Sequence, residues 1–396
     1  MTKKYYIAAA LICVAVLAVL ALATGFFSRK ASEDVIRVGF IYSEDESTPY
    51  TYNFILGQRA LTEEFGDQVE IFSQSNVYAE EAEEPIRDLV RKGCRIIFIN
   101  LDTAVAPALA LEYPEVQFCQ ISMPDISPEG QPDNYHTFNG EIYQARYAAG
   151  VVAGMKLRYM MDHQGLAAEN AKAGYVAANH EPEVVSGYTA YLMGIRSVAP
   201  EVSLRVVETG SWSNYSKEKK ATRQLIDEGC IIIAQHTNTM APAIACDEAA
   251  ASGKTVYHIG YHQSMMDITP STALVSLRTN WVPYIVGATK AVIHHETIEA
   301  SVPGHVHGND ISAGFEQNWV QMLELNTHLA APGTEEKLEQ TIENLKNNRI
   351  AVFHGNYTGR DPENPEDTID LRTEYKENID FSSPTFHYIL DDCIIR

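Results

Sequence analysis

Short apolar runs alternate with longer polar stretches of helical spacing along most of the chain. Residues 35–42 (VIRVGFIY) form a nearly continuous apolar run, as expected of a strand buried on both faces. Residues 69–72, 95–100 and 116–121 read as further strands. Helices are expected from about Phe54, with Gly57 and Leu61 on one face, over 81–92, and from Val105 to Glu112. A second series begins at Ala173, with strands predicted at 175–177, 203–207, 231–234, 256–259 and 273–277. Within it, residues 217–228 place Ala221, Leu225 and Ile226 on one helical face, and Gly229 supplies the stop. Between the two series lies 136–155. Its last third carries Ala145, Ala148, Ala149 and Ala153 with Gly150 and Gly154, a small-residue helix suited to very close packing. Later, 284–294 and 335–347 read as helices, 302–308 as a connection, and 351–353 with 386–390 as a terminal strand pair. Strand and helix alternate throughout, which predicts an α/β protein whose parallel sheets carry helices on both faces.

Two stretches repeat each other. Residues 89–110 read LVRKGCRIIFINLDTAVAPALA, and residues 225–245 read LIDEGCIIIAQHTNTMAPAIA. Each has Gly-Cys, a paired isoleucine, a polar loop and Ala-Pro-Ala, offset by about 136 residues. A period that long excludes a solenoid and indicates two similar α/β lobes, each presenting a polar loop at a strand end. Ligands of open α/β sheets bind at that end.

Charge and composition narrow the function. The 396 residues carry a net charge of −22. Residues 1–30 contain Lys3, Lys4, Arg29 and Lys30 and no acid, so the remainder is at −26. Such acidity argues against nucleic acid or anionic lipid as partner. The uncharged apolar run 5–27 is long enough to span a bilayer and also resembles a secretory signal, with Ala21-Leu22-Ala23 as a cleavage site. Residues 1–30 are therefore expected to be a signal peptide or an N-terminal membrane anchor. Either places the body outside the cytoplasm, associated with the cell membrane or envelope. Six cysteines, one of them in the leader, show no C-x-x-C spacing, so neither a zinc motif nor a disulfide framework is expected.

Catalytic signatures are absent: there is no G-x-S-x-G, phosphate loop, H-E-x-x-H or G-x-G-x-x-G. Glu44, Asp45 and Glu46 are adjacent acids rather than a spaced acid–base pair. His305 with His307, and His258 with His262, lack further converging ligands for a metal. No enzyme, metal or cofactor is expected. Binding chemistry is better represented. Strand-end loops combine aromatic and amide residues at Tyr50, Tyr52 and Asn53; Asn100 and Asp102; Trp212; Gln235, His236 and Asn238; His262 and Gln263; and Arg278, Asn280 and Trp281. Tyr50 and Trp212, one from each lobe, can stack on a flat heteroaromatic ligand, while amides and carboxylates read its edge.

At these residues the chain resembles the basic membrane protein family of substrate-binding proteins, whose type member is a purine nucleoside receptor. The resemblance is carried by YTYNFILGQR (50–59), FNGEIYQARYAAGVVAG (138–154), GYVAANHEPEVVSGYTAYLMGI (174–195), VVETGSWSNYSKEK (206–219), IAQHTNTMAPA (233–243) and NWVPY (280–284). It implies the type I periplasmic-binding-protein fold, two doubly wound parallel-sheet lobes joined by three crossings. The expected limits are 35–137 with 281–301 for the first lobe, 138–280 with 302–355 for the second, and 356–396 as a C-terminal extension. It further implies a monomer that delivers a purine nucleoside, nucleobase or similar planar heterocycle to an ABC permease. A membrane-anchored sensor using the same lobes is the alternative. By position, Tyr50 and Trp212 match the stacking aromatics, Asp45 the acid of the first loop, and Asn100 or Asp102 the strand-end acid. Asn238 stands where relatives often have Asp, Tyr261-His262-Gln263 replace an expected acid, and Arg278 is the nearest candidate for a ribose-holding lysine. The expected ligand-binding set is Asp45, Tyr50, Thr51, Asn100, Asp102, Trp212, His236, Asn238, Gln263, Arg278, Asn280 and Trp281.

Overall fold

The computed structural model describes residues 35–122, 130–391 and 393–395. The expected signal or anchor at 1–30 lies outside the described residues, and no helix among them is long and apolar enough to cross a membrane. Strands β1 (Ile36–Ile41), β2 (Val69–Gln74), β3 (Cys94–Ile99), β4 (Gln117–Ile121) and β5 (Tyr135–Gly140) form a parallel sheet in the order β5-β4-β3-β1-β2. Strands β6 (Lys172–Ala177), β7 (Ser203–Glu208), β8 (Ile232–His236), β9 (Tyr257–Tyr261) and β10 (Ala273–Thr279) form a second, in the order β10-β9-β8-β6-β7. The two orders are the same topology written twice. The repeated stretches occupy matching places in it, β3 in one sheet and β8 in the other.

Helices α1 (Pro49–Phe65), α2 (Glu83–Arg91) and α3 (Ala106–Glu112) connect the first sheet. Helix α4 (Ile142–His163) leads into the second, where α5 (Pro182–Arg196), α6 (Tyr215–Asp227) and α7 (Ala241–Ala251) make the crossovers. Helices α8 (Val282–His294) and α9 (Ile298–Ser301) return to the first sheet, where Ile285, Ala288 and Ile298 share a buried cluster with Phe40, Phe54 and Phe98. The small-residue helix packs as its composition predicts. A Cβ on Gly150 of α4 would lie 2.1 Å from the Tyr191 carbonyl of α5, and one on Gly194 of α5 would lie 2.0 Å from the Tyr147 carbonyl.

The chain passes between the sheets three times: after β5, after β10, and between β12 (Asp310–Ala313) and β13 (Val320–Met322). These crossings are tied to one another. The Glu141 amide donates to Ala313 O (3.0 Å), the Asn280 amide to Trp319 O (2.6 Å), and Asn280 Nδ2 to Asn318 O (2.8 Å). Gly140 sits so close to Thr279 that a Cβ would meet its Cγ2 at 2.4 Å.

Three elements differ from the pattern-based expectation. Residues 135–140 are a strand although their sequence is polar, because His136, Thr137 and Asn139 each find a partner. His136 meets Glu299 (2.5 Å) and Gln117 (2.8 Å), Thr137 donates to Asp310 (2.7 Å), and Asn139 accepts from the Gly140 amide (2.8 Å). Strands β11 (His305–His307) and β12 extend the first sheet beyond β5, so 302–355 does not belong wholly to the second lobe as expected. Finally, 351–353 and 386–390 meet through rings rather than a ladder: Phe353 stacks on Phe386 at 4.7 Å. The strands there are β14 (Thr358–Arg360), β15 (Thr368–Asp370) and β16 (Ile389–Leu390), which form a three-stranded sheet. A last strand, β17 (Ile394–Ile395), pairs in parallel with β7 at the edge of the second sheet.

Candidate functional site: the cleft between the two sheets

In each sheet the strand order reverses between two neighbours, β1 and β3 in the first, β6 and β8 in the second. Carboxyl ends at such a reversal form a natural crevice. Both crevices open on one cavity of about 220 Å³. The first sheet contributes Ser43, Asn100, Leu101, Asp102, Ile121, Ser122 and Asn139, with Tyr50 from α1. The second contributes Glu181, Glu183, Trp212, Asn238, Tyr261 and His262, and the crossings supply Thr279 and Trp281.

Each wall is held by backbone geometry. Asn100 follows β3 directly; its Oδ1 accepts from the Ser43 amide (2.8 Å), which ties the ends of β1 and β3 together. Its carbonyl accepts from Tyr50 Oη (2.6 Å), and that bond aims the tyrosine ring. Across the cleft the Asn238 amide donates to Trp212 O (2.8 Å), fixing the two loops to each other. His262 has φ of 69°, a left-handed conformation, and stacks on Tyr261 with ring centroids 3.5 Å apart. Its Nε2 meets Asn238 Oδ1 at 3.2 Å.

Behind the second-lobe wall lies a fully buried charge. Arg146 of α4 donates from Nη1 to Gln235 O (2.6 Å) and lies 4.0 Å above the Tyr261 ring. Its charge shapes its neighbours. Burial and then Arg146 push the pKa of His236 well below the usual histidine range, and the same two causes act on His262, so both rings are neutral. Glu183, on the first turn of α5, is 28 % exposed and lies 3.6 Å from His236 Nε2. Burial, reinforced by Glu181 and opposed by Arg146, raises its pKa to about 7.

The expected site residues divide. Tyr50, Asn100, Asp102, Trp212, Asn238 and Trp281 line the cavity. His236 is one layer behind, edge-on to Trp212 at 5.6 Å and bonded to Tyr175 Oη (3.2 Å). Thr51 is buried within α1. Asp45 is outside the wall and organises its own loop, accepting from the Ser47 amide (2.9 Å) and hydroxyl (2.6 Å). Gln263 is also outside the wall. Arg278 is likewise outside the wall, with Nε donating to Gln321 Oε1 (2.8 Å). Asn280 belongs to the crossings. Glu183, Tyr261 and Arg146 are not in the set expected from sequence. Arg146 and Glu183 lie inside the resembling stretches, and Tyr261 lies in the loop where an expected acid is replaced.

Several polar atoms on the cavity residues have no protein hydrogen-bond partner among the described residues: Asn100 Nδ2, His262 Nδ1 and Trp281 Nε1. A buried unpaired polar group costs about 1–3 kcal/mol. A ligand offering complementary edges would recover that cost.

A two-lobed α/β fold with a cleft built from paired strand ends is the architecture of solved ABC-system solute-binding proteins. The chain belongs to the Bmp family, described as ABC transporter substrate-binding protein PnrA-like, whose model matches residues 37–352. It is thus an ABC transporter solute-binding protein, a class that works outside the cytoplasm. It is 28% identical over 344 residues to a purine-binding protein of Brucella abortus (strain 2308), covering 85% of this chain and 89% of that protein. It is 29% identical over 223 residues to a Haloferax volcanii protein named for ABC transport and glucose binding, covering 56% of this chain and 50% of that one. Among solved structures, a solute-binding protein of an ABC transporter system from Aeropyrum pernix K1 shares the fold at a TM-score of 0.64 and 16% identity, covering 80% and 92% of the two chains.

Proposed function

We propose that the chain captures an uncharged purine, as the free base or its nucleoside, between Tyr50 and Trp212 and presents it to an ABC importer. The observation that carries the reading is the composition of the cavity wall: one large aromatic from each lobe, with unpaired edge donors at Asn100 and Trp281 between them. A purine has two faces for the rings and a periphery of ring nitrogens for the donors. The similarity to a purine-binding protein over most of both chains supports it. Asp102, Glu181 and Glu183 are the acidic groups of the wall, and neither Lys nor Arg lines it among the described residues. Phosphorylated nucleotides are therefore repelled. Ser43, Ser122 and Asp102 would meet ribose hydroxyls, so a base and its nucleoside both fit this chemistry.

Calorimetric titration of the purified chain with adenine, guanine, hypoxanthine, their nucleosides, adenosine monophosphate and glucose tests the reading. Saturable binding of at least one base or nucleoside, with none of the monophosphate, is expected. Binding of glucose alone, or of the monophosphate as tightly as its nucleoside, would overturn it.

A further inference from the structure

The C-terminal extension carries a second cluster of chemistry, far along the chain from the cleft residues. Its small sheet β15-β14-β16 brings three side chains to one place. Asp361 follows the last residue of β14, Asp367 precedes the first residue of β15, and His387 lies two residues before β16. One ligand atom from each lies within 4.8 Å of the other two. His387 Nε2 is 4.0 Å from Asp361 Oδ2 and 3.8 Å from Asp367 Oδ2.

We propose that Asp361, Asp367 and His387 form a binding site for a divalent transition metal of the zinc class. The orientation of the imidazole is the first argument. His387 Nδ1 lies 2.8 Å from the Thr385 carbonyl, which can only accept, so Nδ1 carries the proton. In the neutral ring Nε2 then presents its lone pair to two carboxylate oxygens, an arrangement that calls for a cation between them. A backbone carbonyl that fixes the far nitrogen is the usual support of a metal-binding histidine.

The disposition of nearby charge is the second argument. Arg360 is engaged by Asp391 (2.9 Å) and Arg372 by Asp370 (2.9 Å), so the two arginines of this sheet compensate other acids. His180 is held by Glu208 at 2.9 Å. Asp361 and Asp367 face the His387 ring instead. Tyr388 Oη donates to Asp367 Oδ1 (3.3 Å) and orients that carboxylate, as outer partners of metal ligands do.

The donor set chooses the metal. One imidazole with two carboxylates suits zinc and its first-row neighbours, whereas calcium and magnesium take oxygen ligands. Bonds of about 2.0–2.2 Å would span the two gaps from His387 to the carboxylates after shifts of a few tenths of an ångström, and a water would complete a four-coordinate ion. The site would clamp three strands of three, three and two residues, too short to hold one another firmly.

The full chain, stripped with a chelator and dialysed, is titrated calorimetrically with zinc chloride at neutral pH, and its unfolding temperature is followed with zinc and with calcium. One zinc should bind per chain and raise the unfolding temperature progressively, with the logarithm of its free concentration, and calcium at the same concentrations should be ineffective. His387→Ala should weaken zinc by more than the roughly 10–100-fold typical of losing an outer partner. Isosteric Asp367→Asn should weaken it too, with an unchanged circular dichroism spectrum. In cobalt-loaded protein, the visible ligand-field bands should disappear in both variants. No zinc binding by the wild type, or the same binding in both variants and hence an ion held by other histidines, would overturn the proposal.

Discussion

Tyr50 of α1 and His262 beyond β9 meet edge to face across the cleft, ring centroids 5.3 Å apart at 61°. The two lobes thus touch through aromatic rings in the cavity wall. An aromatic pair contributes about 0.5–1.5 kcal/mol beyond its buried area. That amount biases the crossings toward a closed arrangement which a ligand then reinforces. His262→Asn removes the ring while keeping a residue that tolerates positive φ. Small-angle scattering of this variant should show a larger radius of gyration than the wild type, and purine affinity should drop roughly two- to tenfold. An unchanged radius would mean that the contact does not govern closure.

The ring pair proposed to face the ligand should matter more. Base–aromatic stacking is worth about 1–3 kcal/mol, so Tyr50→Ala and Trp212→Ala should each cost about five- to hundredfold in affinity. Tyr50→Phe should lose part of this, because Oη positions the ring on Asn100 O. Tyr78, 65% exposed and outside the cavity wall, serves as the control, and Tyr78→Ala should bind as wild type does. Calorimetry on the four variants decides the matter.

A purely structural prediction concerns the α4–α5 contact. Gly194→Ala places a methyl group 2.0 Å from the Tyr147 carbonyl, and backbone cannot yield as a side chain can. Overpacking of this kind costs about 1–3 kcal/mol. The midpoint of chemical unfolding should shift accordingly, while affinity measured well below the transition stays the same. A Gly194→Ala chain as stable as wild type would show that the helices can separate freely.

The alternation of strands and helices is legible in the sequence because hydrophobic periodicity is local, and the repeated Gly-Cys-x-Ile-Ile stretches disclose the doubled sheet by themselves. Tyr50 and Trp212 are legible for a related reason: strand ends of open sheets hold the ligand, and few large aromatics occur there. What stays hidden has long-range causes. Strand β5 escapes the pattern because its polar side chains find partners as distant in sequence as Glu299 and Asp310. Arg278 resembles a ligand contact by its place at a strand end, yet Gln321 on the neighbouring β13 holds it. Glu183 acquires its character chiefly from burial, with Glu181 reinforcing and Arg146 of α4 opposing. That burial comes from tertiary packing, which no window of sequence displays.

Glu183 supplies the pH test. Its pKa rises from the ordinary 4.5 to about 7, chiefly by burial, then by Glu181, with Arg146 opposing. The folded chain therefore holds this proton where the unfolded chain has released it. Stability from this group is full below the ordinary carboxylate range and is lost as pH rises through about 7. His236 and His262 act in the opposite sense. Their depressed pKa values mean that the unfolded chain gains protons first, so their contribution is lost as pH falls. His305 rises on its hydrogen bond from Nδ1 to Glu141 and follows the sign of Glu183. Only the difference between wild type and Glu183→Gln isolates the carboxyl. That difference in unfolding free energy should change by roughly 1–3 kcal/mol between pH 5 and 8, with wild type losing ground as pH rises. Ligand affinity should follow, because the protonated carboxyl can donate to a ring nitrogen of a purine while the carboxylate can only repel it. Wild-type affinity should fall above neutral pH and the Gln variant should stay flat. Parallel stability and affinity profiles for the two proteins would show that Glu183 is ionised throughout and that the cleft recognises its ligand without that proton.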